Sequence, residues 1–209
     1  MMSVEFWYVR HGETLFNRMR RYQGQCDSPL TEKGIGDAQR AGAALKDTVF
    51  TRAYCSFSGR AEDTAEIVLG ERELVPVRKK GLMEHYVGLA EGALIDDPVT
   101  RRAIEYGNST GDWSHVEGES IPDMKKRIRH TLEEIAGECT DGDRVLIVSH
   151  GSYCMYLMEE MLGVDITALR KANGGKLPVP NGSILRFAYD NGTWILRQLP
   201  KDPDCYTEP

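Results

Sequence analysis

The near-continuous apolar run RVLIVS, residues 144–149, constrains the fold more than any other stretch of this chain. A strand that is apolar at almost every position must be covered on both faces, as in a parallel sheet between two layers of helices. A second short run of apolar and aromatic residues, 4–9, ends at Arg10 and is too short to propagate as a helix. Both runs therefore predict central strands of a doubly covered sheet.

Stretches with helical spacing of apolar residues alternate with these short strands. Thr31 is the predicted N-cap of a helix that runs to about Lys46, and the stretch 59–69 is a predicted helix that ends at Gly70. Further helices are predicted at about 98–106, 121–138 and 152–162, and further strands at 49–56 and 74–78.

The alternation of strands and helices predicts an α/β protein, a three-layer α/β/α sandwich with a mostly parallel mixed sheet. The last two predicted strands, 184–189 and 193–199, form a C-terminal antiparallel hairpin, because Asn191 and Gly192 between them suit a type I′ turn.

At 209 residues the chain is expected to form a single domain over residues 1–200. The glycine-broken segment from about 81 to 118 is predicted to be a lid insertion, and residues 201–209 a loose tail.

The net charge of −6 argues against nucleic acid and membrane surfaces as partners, since both attract an excess of lysine and arginine. The five cysteines show neither CxxC spacing nor a metal-binding pattern with histidine, so we expect reduced thiols, no metal and a cytoplasmic location. Since there is no signal-like N-terminus and no run of 18 apolar residues, we expect neither export nor a membrane span.

Two predicted strand ends carry a histidine followed by a glycine, in YVRHG at 8–12 and in IVSHG at 147–151. Ligands of open α/β sheets bind at the carboxyl ends of strands, so His11 and His150 would share one crevice if their strands are neighbours. Taken alone, each histidine is better explained as a loop residue that makes one hydrogen bond to the backbone. Two histidines at equivalent places weaken that explanation. The glycines that follow them would let a ligand approach the backbone.

A third stretch, SGRAEDTAEI at 58–67, places Arg60 in the first turn of a predicted helix. The helix dipole disfavours a cation there unless an anion binds nearby, and an ion pair with Glu62 or Asp63 is the alternative. Arg60 and Arg10 converging with the two histidines would suit the oxygens of a phosphoryl group.

Phosphoryl transfer also needs a proton source for the leaving oxygen. The segment GLMEHYVGLAEG, 81–92, supplies Glu84, His85 and Glu91 in the predicted lid. The residues alone do not choose between the two glutamates, and either is also consistent with a solvated loop charge.

Six blocks of the chain, in this order, resemble the histidine phosphatase superfamily, which includes the cofactor-dependent phosphoglycerate mutases. They are RHGET, YQGQCDSPLTEKGIGDAQRAG, SGRAEDTAEI, LMEHYVGLAEG, EGES and LIVSHG. The resemblance extends from residue 4 to about 186. It implies an α/β/α fold and a covalent mechanism through a phosphohistidine.

The resemblance also implies roles for individual residues. His11 would be the nucleophile. Arg10, Arg60 and His150 would bind the transferring phosphoryl group. Glu84, rather than Glu91, would protonate the leaving oxygen. Further phosphate- and substrate-binding positions would be Asn17, Gln23, Gly24, Gly151 and Ser152. No metal is implied, and the partner would be a small phosphorylated substrate.

Several departures distinguish this chain from the mutases of that family. The mutases carry ERHYG and, after the next glycine, a lysine that holds a substrate carboxylate or phosphate, whereas this chain has EHYVG and EGALIDD at 91–97. Its two aspartates, Asp96 and Asp97, would repel a polyanionic sugar acid. Arg101 and Arg102 would either replace the mutases' arginine pair or form a solvated face.

These departures favour a phosphomonoester hydrolase that acts on a small phosphorylated metabolite and needs no cofactor. Two alternatives stay open: a phosphoglycerate mutase dependent on 2,3-bisphosphoglycerate, and a non-catalytic protein that binds phosphorylated ligands or partners. An exposed edge strand at the C-terminal hairpin would also permit an oligomer.

Overall fold

The structure is a computed structural model that describes residues 2–175 and 178–206. Its strands are β1 (Ser3–Arg10), β2 (Arg52–Ser56), β3 (Val77–Lys79), β4 (Arg144–Ser149), β5 (Ile184–Asp190) and β6 (Thr193–Lys201). Its α-helices are α1 (Leu15–Arg18), α2 (Glu32–Ala44), α3 (Gly59–Leu69), α4 (Pro98–Thr110), α5 (Ile121–Gly137), α6 (Gly151–Leu162) and α7 (Ile166–Ala172).

The strands form one mixed sheet in the order β3-β2-β4-β1-β5-β6. The pairs β2–β3, β2–β4 and β1–β4 are parallel, and the pairs β1–β5 and β5–β6 are antiparallel. In the final hairpin Asn191 and Gly192 have φ angles of 48° and 91°, as a type I′ turn requires. The predicted fold class is confirmed.

Each central strand buries both of its faces. In β4, Val145 and Ile147 pack into one hydrophobic core together with residues of α5 and α6, such as Ile128. The alternate residues Leu146 and Val148 pack into a second core together with residues of α2 and α3. This alternation explains why RVLIVS has no polar face, because helices cover both sides of the sheet.

The segment 81–118, predicted to be a lid insertion, has a small core of its own. Trp113, only 2% exposed, packs there with Val87, Ala90, Ile104 and Val116. Gly107 is required beside it, because an added Cβ would lie 2.6 Å from the indole ring. Packing, rather than substrate contact, is therefore the role of Trp113.

The predicted loose tail is wrong for residues 201–206. Lys201 still belongs to β6, and Pro203–Cys205 form a single 3-10 turn. Tyr206 is 8% exposed, and its hydroxyl accepts a 2.8 Å hydrogen bond from Trp7 Nε1 in the core. A buried aromatic ring and a satisfied indole N–H fix this segment. Residues 207–209 lie outside the described part of the chain.

No helix within the described ranges is long and apolar enough to cross a bilayer.

Candidate active site

The parallel pairing of β1 with β4 places the two His-Gly sequences side by side. Arg10 is paired with Ser149 in the register, and the His11 N–H donates to the Ser149 carbonyl at 2.9 Å. The rings of His11 and His150 consequently lie with their centroids 5.3 Å apart. The register therefore places the two histidines next to each other, as expected for neighbouring strands.

An open cleft of about 340 Å³ lies at these strand ends. The predicted site residues that line it are Arg10, His11, Asn17, Gln23, Gly24, Arg60, Glu84, Gly151 and Ser152. His150 is fully buried next to this lining.

His11 is held as a neutral ring with one nitrogen available. Its Nδ1 lies 2.8 Å from the Gly12 carbonyl, which can only accept, so Nδ1 carries the proton and Nε2 carries the lone pair. Burial, followed by the charges of Arg60 and Arg10, holds the His11 pKa well below its ordinary value. Asn181 Nδ2 donates to the His11 carbonyl at 2.9 Å and fixes the backbone.

His150 uses both ring nitrogens within the protein. An arginine can only donate, so the 3.0 Å contact with Arg60 Nη2 makes His150 Nδ1 an acceptor and leaves the proton on Nε2, which donates to Ser56 Oγ at 2.7 Å. Burial and the Arg60 charge hold the pKa of His150 well below its ordinary value. The Tyr8 hydroxyl accepts from the His150 N–H and donates to its carbonyl.

The guanidinium of Arg60 connects the 24–27 loop to His150, and only 1% of the residue is exposed. Nη1 donates to the Asp27 carboxylate at 2.8 Å and to the Cys26 carbonyl at 2.9 Å. Nη2 donates to the Gly24 carbonyl at 2.8 Å in addition to His150. The anion beside Arg60 is therefore Asp27, and the alternative ion pair within its own helix is not formed.

Two arginines that line the cleft each have one N–H group without a hydrogen-bond partner among the described residues. Nη1 of Arg10 donates to the Val179 carbonyl at 2.5 Å, but Nε of Arg10 and Nε of Arg60 are both buried without a hydrogen bond to the described residues. Leaving a buried donor unpaired costs about 1–3 kcal/mol. Arg10 and Arg60 also bring two positive charges to the cleft beside His11, so the site suits an anion.

The two glutamates that the sequence did not separate have different roles in the structure. The carboxylate of Glu84 faces the cleft at the N-terminus of α6 and accepts from the N–H groups of Ser152 and Tyr153, each at 2.9 Å. The carboxylate of Glu91 instead accepts from the N–H groups of Gln25 and Cys26, at 2.6 and 2.7 Å. Glu91 therefore fixes the loop that surrounds Arg60.

The side chains of Asn17 and Gln23 are partly committed to the scaffold. Asn17 Oδ1 accepts from the Thr14 N–H at 3.2 Å, which leaves the Nδ2 donors for a ligand. Gln23 accepts from Thr14 Oγ1 at 2.8 Å and donates to Ser28 Oγ at 3.0 Å, so it supports the cleft wall. Gly24 has φ +54°, and its carbonyl holds Arg60.

The cleft is also lined by residues that sequence reasoning missed: Arg21, Tyr22, Val87 and Ile95. In the sequence Arg21 follows Arg18 and Arg20, and such a run of arginines suggests only a solvated basic face. Its Nη1 donates to the Gly92 carbonyl at 2.5 Å. One further cation, together with apolar and aromatic side chains, therefore lines the cleft.

The expected repulsion by two aspartates is not found, because neither lines the cleft. Asp96 pairs with Arg20 at 2.8 Å, and Asp97 caps α4 through the Thr100 N–H. Both carboxylates have local structural partners. Arg101 and Arg102 are exposed and also lie outside the cleft lining.

The described residues contain no group of three or more histidine, cysteine, aspartate or glutamate side chains placed to hold a metal ion.

Comparisons with known proteins place the chain in one family. A family model described as the histidine phosphatase superfamily (branch 1) matches residues 6–202. The chain is 34% identical over 197 residues to the probable phosphoglycerate mutase GpmB of Erwinia tasmaniensis, covering 92% of this chain and 88% of the relative.

Two solved structures illustrate the similarity in three dimensions. One is a phosphoglycerate mutase from Bacillus anthracis, with 28% identity, a TM-score of 0.79, and coverage of 95% of this chain and 93% of the other. The second is a putative alpha-ribazole-5′-P phosphatase from Escherichia coli, with 26% identity, a TM-score of 0.77, and coverage of 95% and 97%.

Proposed function

The chain belongs to the histidine phosphatase superfamily, an enzyme family that transfers phosphoryl groups, and from this premise we propose that it hydrolyses a small phosphorylated metabolite through a phosphohistidine. One observation carries the proposal: a neutral His11 with its Nε2 lone pair available lines the same cleft as the two cations Arg10 and Arg60. A nucleophile beside an anion site is the requirement for covalent phosphoryl transfer.

In the first step, His11 Nε2 attacks phosphorus in line, the P–N bond forms, and the bond from phosphorus to the alcohol oxygen breaks. Glu84, at the N-terminus of α6, gives a proton to the departing oxygen. Arg10, Arg60 and the Nδ2 group of Asn17 stabilise the charge on the phosphoryl oxygens.

In the second step, Glu84 takes a proton from water, the water oxygen attacks phosphorus, and the P–N bond breaks to release phosphate. His150 supports both steps by orienting Arg60 through Nδ1. A direct bond from His150 Nδ1 to a phosphoryl oxygen would require the ring to take up a proton and release Arg60.

The lining of the cleft supports a hydrolase. Tyr22, Val87 and Ile95 give it apolar surface, and Arg21 is the one arginine among the described lining residues besides Arg10 and Arg60. A second phosphate or a carboxylate of a bisphosphate cofactor would meet this single cation, and a poor fit to 2,3-bisphosphoglycerate follows. A phosphate ester with a partly apolar alcohol fits this surface better.

A mutase is the second candidate, because one relative at 34% identity is named as a probable phosphoglycerate mutase. A mutase would return the phosphoryl group from His11 to a second hydroxyl of the substrate instead of to water. A non-catalytic binding protein is disfavoured, since the nucleophile, the phosphoryl-binding arginines and the proton donor are all present in the cleft.

Hydrolysis of p-nitrophenyl phosphate at mildly acidic pH tests the proposal. The wild-type protein is expected to turn over, and His11→Ala is expected to abolish turnover. His130→Ala, at an exposed position of α5, is the matched control and should retain full activity. Undiminished activity of His11→Ala would exclude the phosphohistidine mechanism.

Incubation with 3-phosphoglycerate and trace 2,3-bisphosphoglycerate separates the two candidates. The hydrolase is expected to release inorganic phosphate from some phosphate esters without forming 2-phosphoglycerate efficiently. Interconversion that greatly exceeds phosphate release would assign the mutase instead.

A further inference from the structure

The guanidinium of Arg127, on α5, uses all of its donors on two neighbouring segments. Nε and Nη2 form a fork on the two carboxylate oxygens of Glu119, at 2.8 and 2.6 Å. Nη1 donates to the carbonyls of Gly81 and Met83, at 2.9 and 2.7 Å, and Nη2 also donates to the Glu84 carbonyl at 3.3 Å. The five N–H groups of an arginine are thereby all engaged.

This arrangement fixes the segment that carries Glu84 from two sides. Arg127 on α5 holds the backbone of Glu84, whereas the N-terminus of α6 holds its carboxylate through Ser152 and Tyr153. The segment also lies tightly against α5, because a Cβ added to Gly81 would lie 2.0 Å from Thr131 Oγ1 on that helix. A shift of α5 would therefore also move the segment that carries Glu84, and with it the Glu84 carboxylate.

The EGES sequence, residues 117–120, connects this arrangement to the lid. Besides pairing with Arg127, Glu119 accepts from His85 Nε2 at 2.6 Å through its carbonyl and donates its N–H to the Tyr86 carbonyl at 2.8 Å. Glu119 thus contacts the two residues that follow Glu84. Neither Glu119 nor Arg127 lines the cleft.

We propose that Arg127, paired with Glu119, is a positioning residue that places the Glu84 carboxylate beside the leaving oxygen. This inference rests on the proposed function, in which Glu84 donates the proton. Arg127 acts only through Glu84, because its N–H groups already donate to Glu119 and to the carbonyls of the 81–84 segment. A lysine would keep the positive charge but could not reproduce the planar fork.

Two aryl phosphates of nearly equal size test this role. p-Nitrophenolate leaves easily without a proton. Phenolate is a stronger base, so its departure depends more on proton donation. General acid catalysis contributes about 10²- to 10⁴-fold, so misplacement of Glu84 in Arg127→Lys should lower kcat/KM on phenyl phosphate by about tenfold or more. The loss on p-nitrophenyl phosphate should be much smaller.

Three further variants complete the design. Glu84→Gln should show the same selectivity between the two esters, and combining it with Arg127→Lys should cost little more, because both changes remove one function. Arg129→Lys, the same substitution at an exposed residue of the same helix, is the control and should behave as wild type. Glu119→Gln should show the same larger loss of kcat/KM on phenyl phosphate as Arg127→Lys. It replaces Arg127→Lys in the experiment if that variant does not fold.

Equal losses on the two esters, or losses that add to those of Glu84→Gln, would overturn the positioning role and leave a general structural one. Wild-type behaviour of both Arg127→Lys and Glu119→Gln would overturn it as well. A wild-type protein that hydrolyses neither ester would instead contradict the proposed function itself, so the two failures are distinguishable.

Discussion

Lowering the pH from about 7.5 to about 5.5 should destabilise the folded protein through its two buried histidines. His11 is 4% exposed and His150 is fully buried, and burial beside Arg60 lowers both pKa values well below the ordinary value. In the unfolded chain the same residues titrate near their ordinary pKa of about 6.5. Below that pH, protons bind the unfolded chain and stabilise it relative to the folded protein.

The magnitude follows from the linkage between proton binding and unfolding. A histidine that stays neutral in the folded state loses about 1.4 kcal/mol of its contribution between these two pH values, so the pair loses up to about 2.7 kcal/mol. The free energy of unfolding should therefore fall by up to about 2.7 kcal/mol on acidification. It should recover when the pH is raised again, because the unfolded chain releases its two histidine protons at about pH 6.5.

Urea denaturation at the two pH values measures this difference directly. His11→Gln removes one of the two groups and should reduce the pH dependence to about 1.4 kcal/mol, whereas His130→Gln, at an exposed site, should leave it unchanged. An identical pH dependence in the wild type and in His11→Gln would refute the view that His11 is kept neutral by its surroundings.

Three other substitutions probe the rest of the molecule. Tyr206→Phe leaves the Trp7 indole N–H without its acceptor and should lower the free energy of unfolding by about 1–3 kcal/mol with unchanged kcat/KM, as measured by denaturation and by hydrolysis of p-nitrophenyl phosphate. Gly107→Ala forces a Cβ to within 2.6 Å of the Trp113 ring and should lower the melting temperature and activity together, whereas a melting curve like that of wild type would contradict the packing of the lid. Glu91→Gln weakens the acceptor of two loop N–H groups and should weaken competitive inhibition by inorganic phosphate with little loss of kcat, so an unchanged inhibition constant would argue against a role for this loop.

The central sheet and the core of the candidate active site could be predicted because their signals are local. RVLIVS at 144–149 and the run 4–9 each specify a doubly covered strand, and both end in a His-Gly sequence. Once these two strands are parallel neighbours, the positions of His11 and His150 follow from the register alone.

The sequence could not reveal contacts that depend on how distant segments meet. Glu84 and Glu91 lie in the same glycine-broken segment, and their roles differ only because one faces α6 and the other faces the 25–26 loop. The Asp27 partner of Arg60 lies 33 positions away along the chain. The short helices α1 and α7, of four and seven residues, carry too few apolar positions to show a helical period.

The same reasoning explains the tail. Residues 201–206 look largely polar in sequence, and only the contact of Tyr206 with Trp7 shows that they pack against the core. Arg127 is a similar case, because its sequence neighbours make it look like one more charge on an amphipathic helix, whereas its five donors meet the Glu84 segment and Glu119.

The central claim is that His11 itself carries the phosphoryl group during turnover. Mixing the protein with p-nitrophenyl phosphate, quenching rapidly in alkali, which preserves phosphohistidine, and mapping the peptides by mass spectrometry tests it directly. One phosphoryl group should be found on the peptide that contains His11, and none in His11→Ala. Steady turnover without any such adduct, or an adduct on His150 instead, would contradict the mechanism.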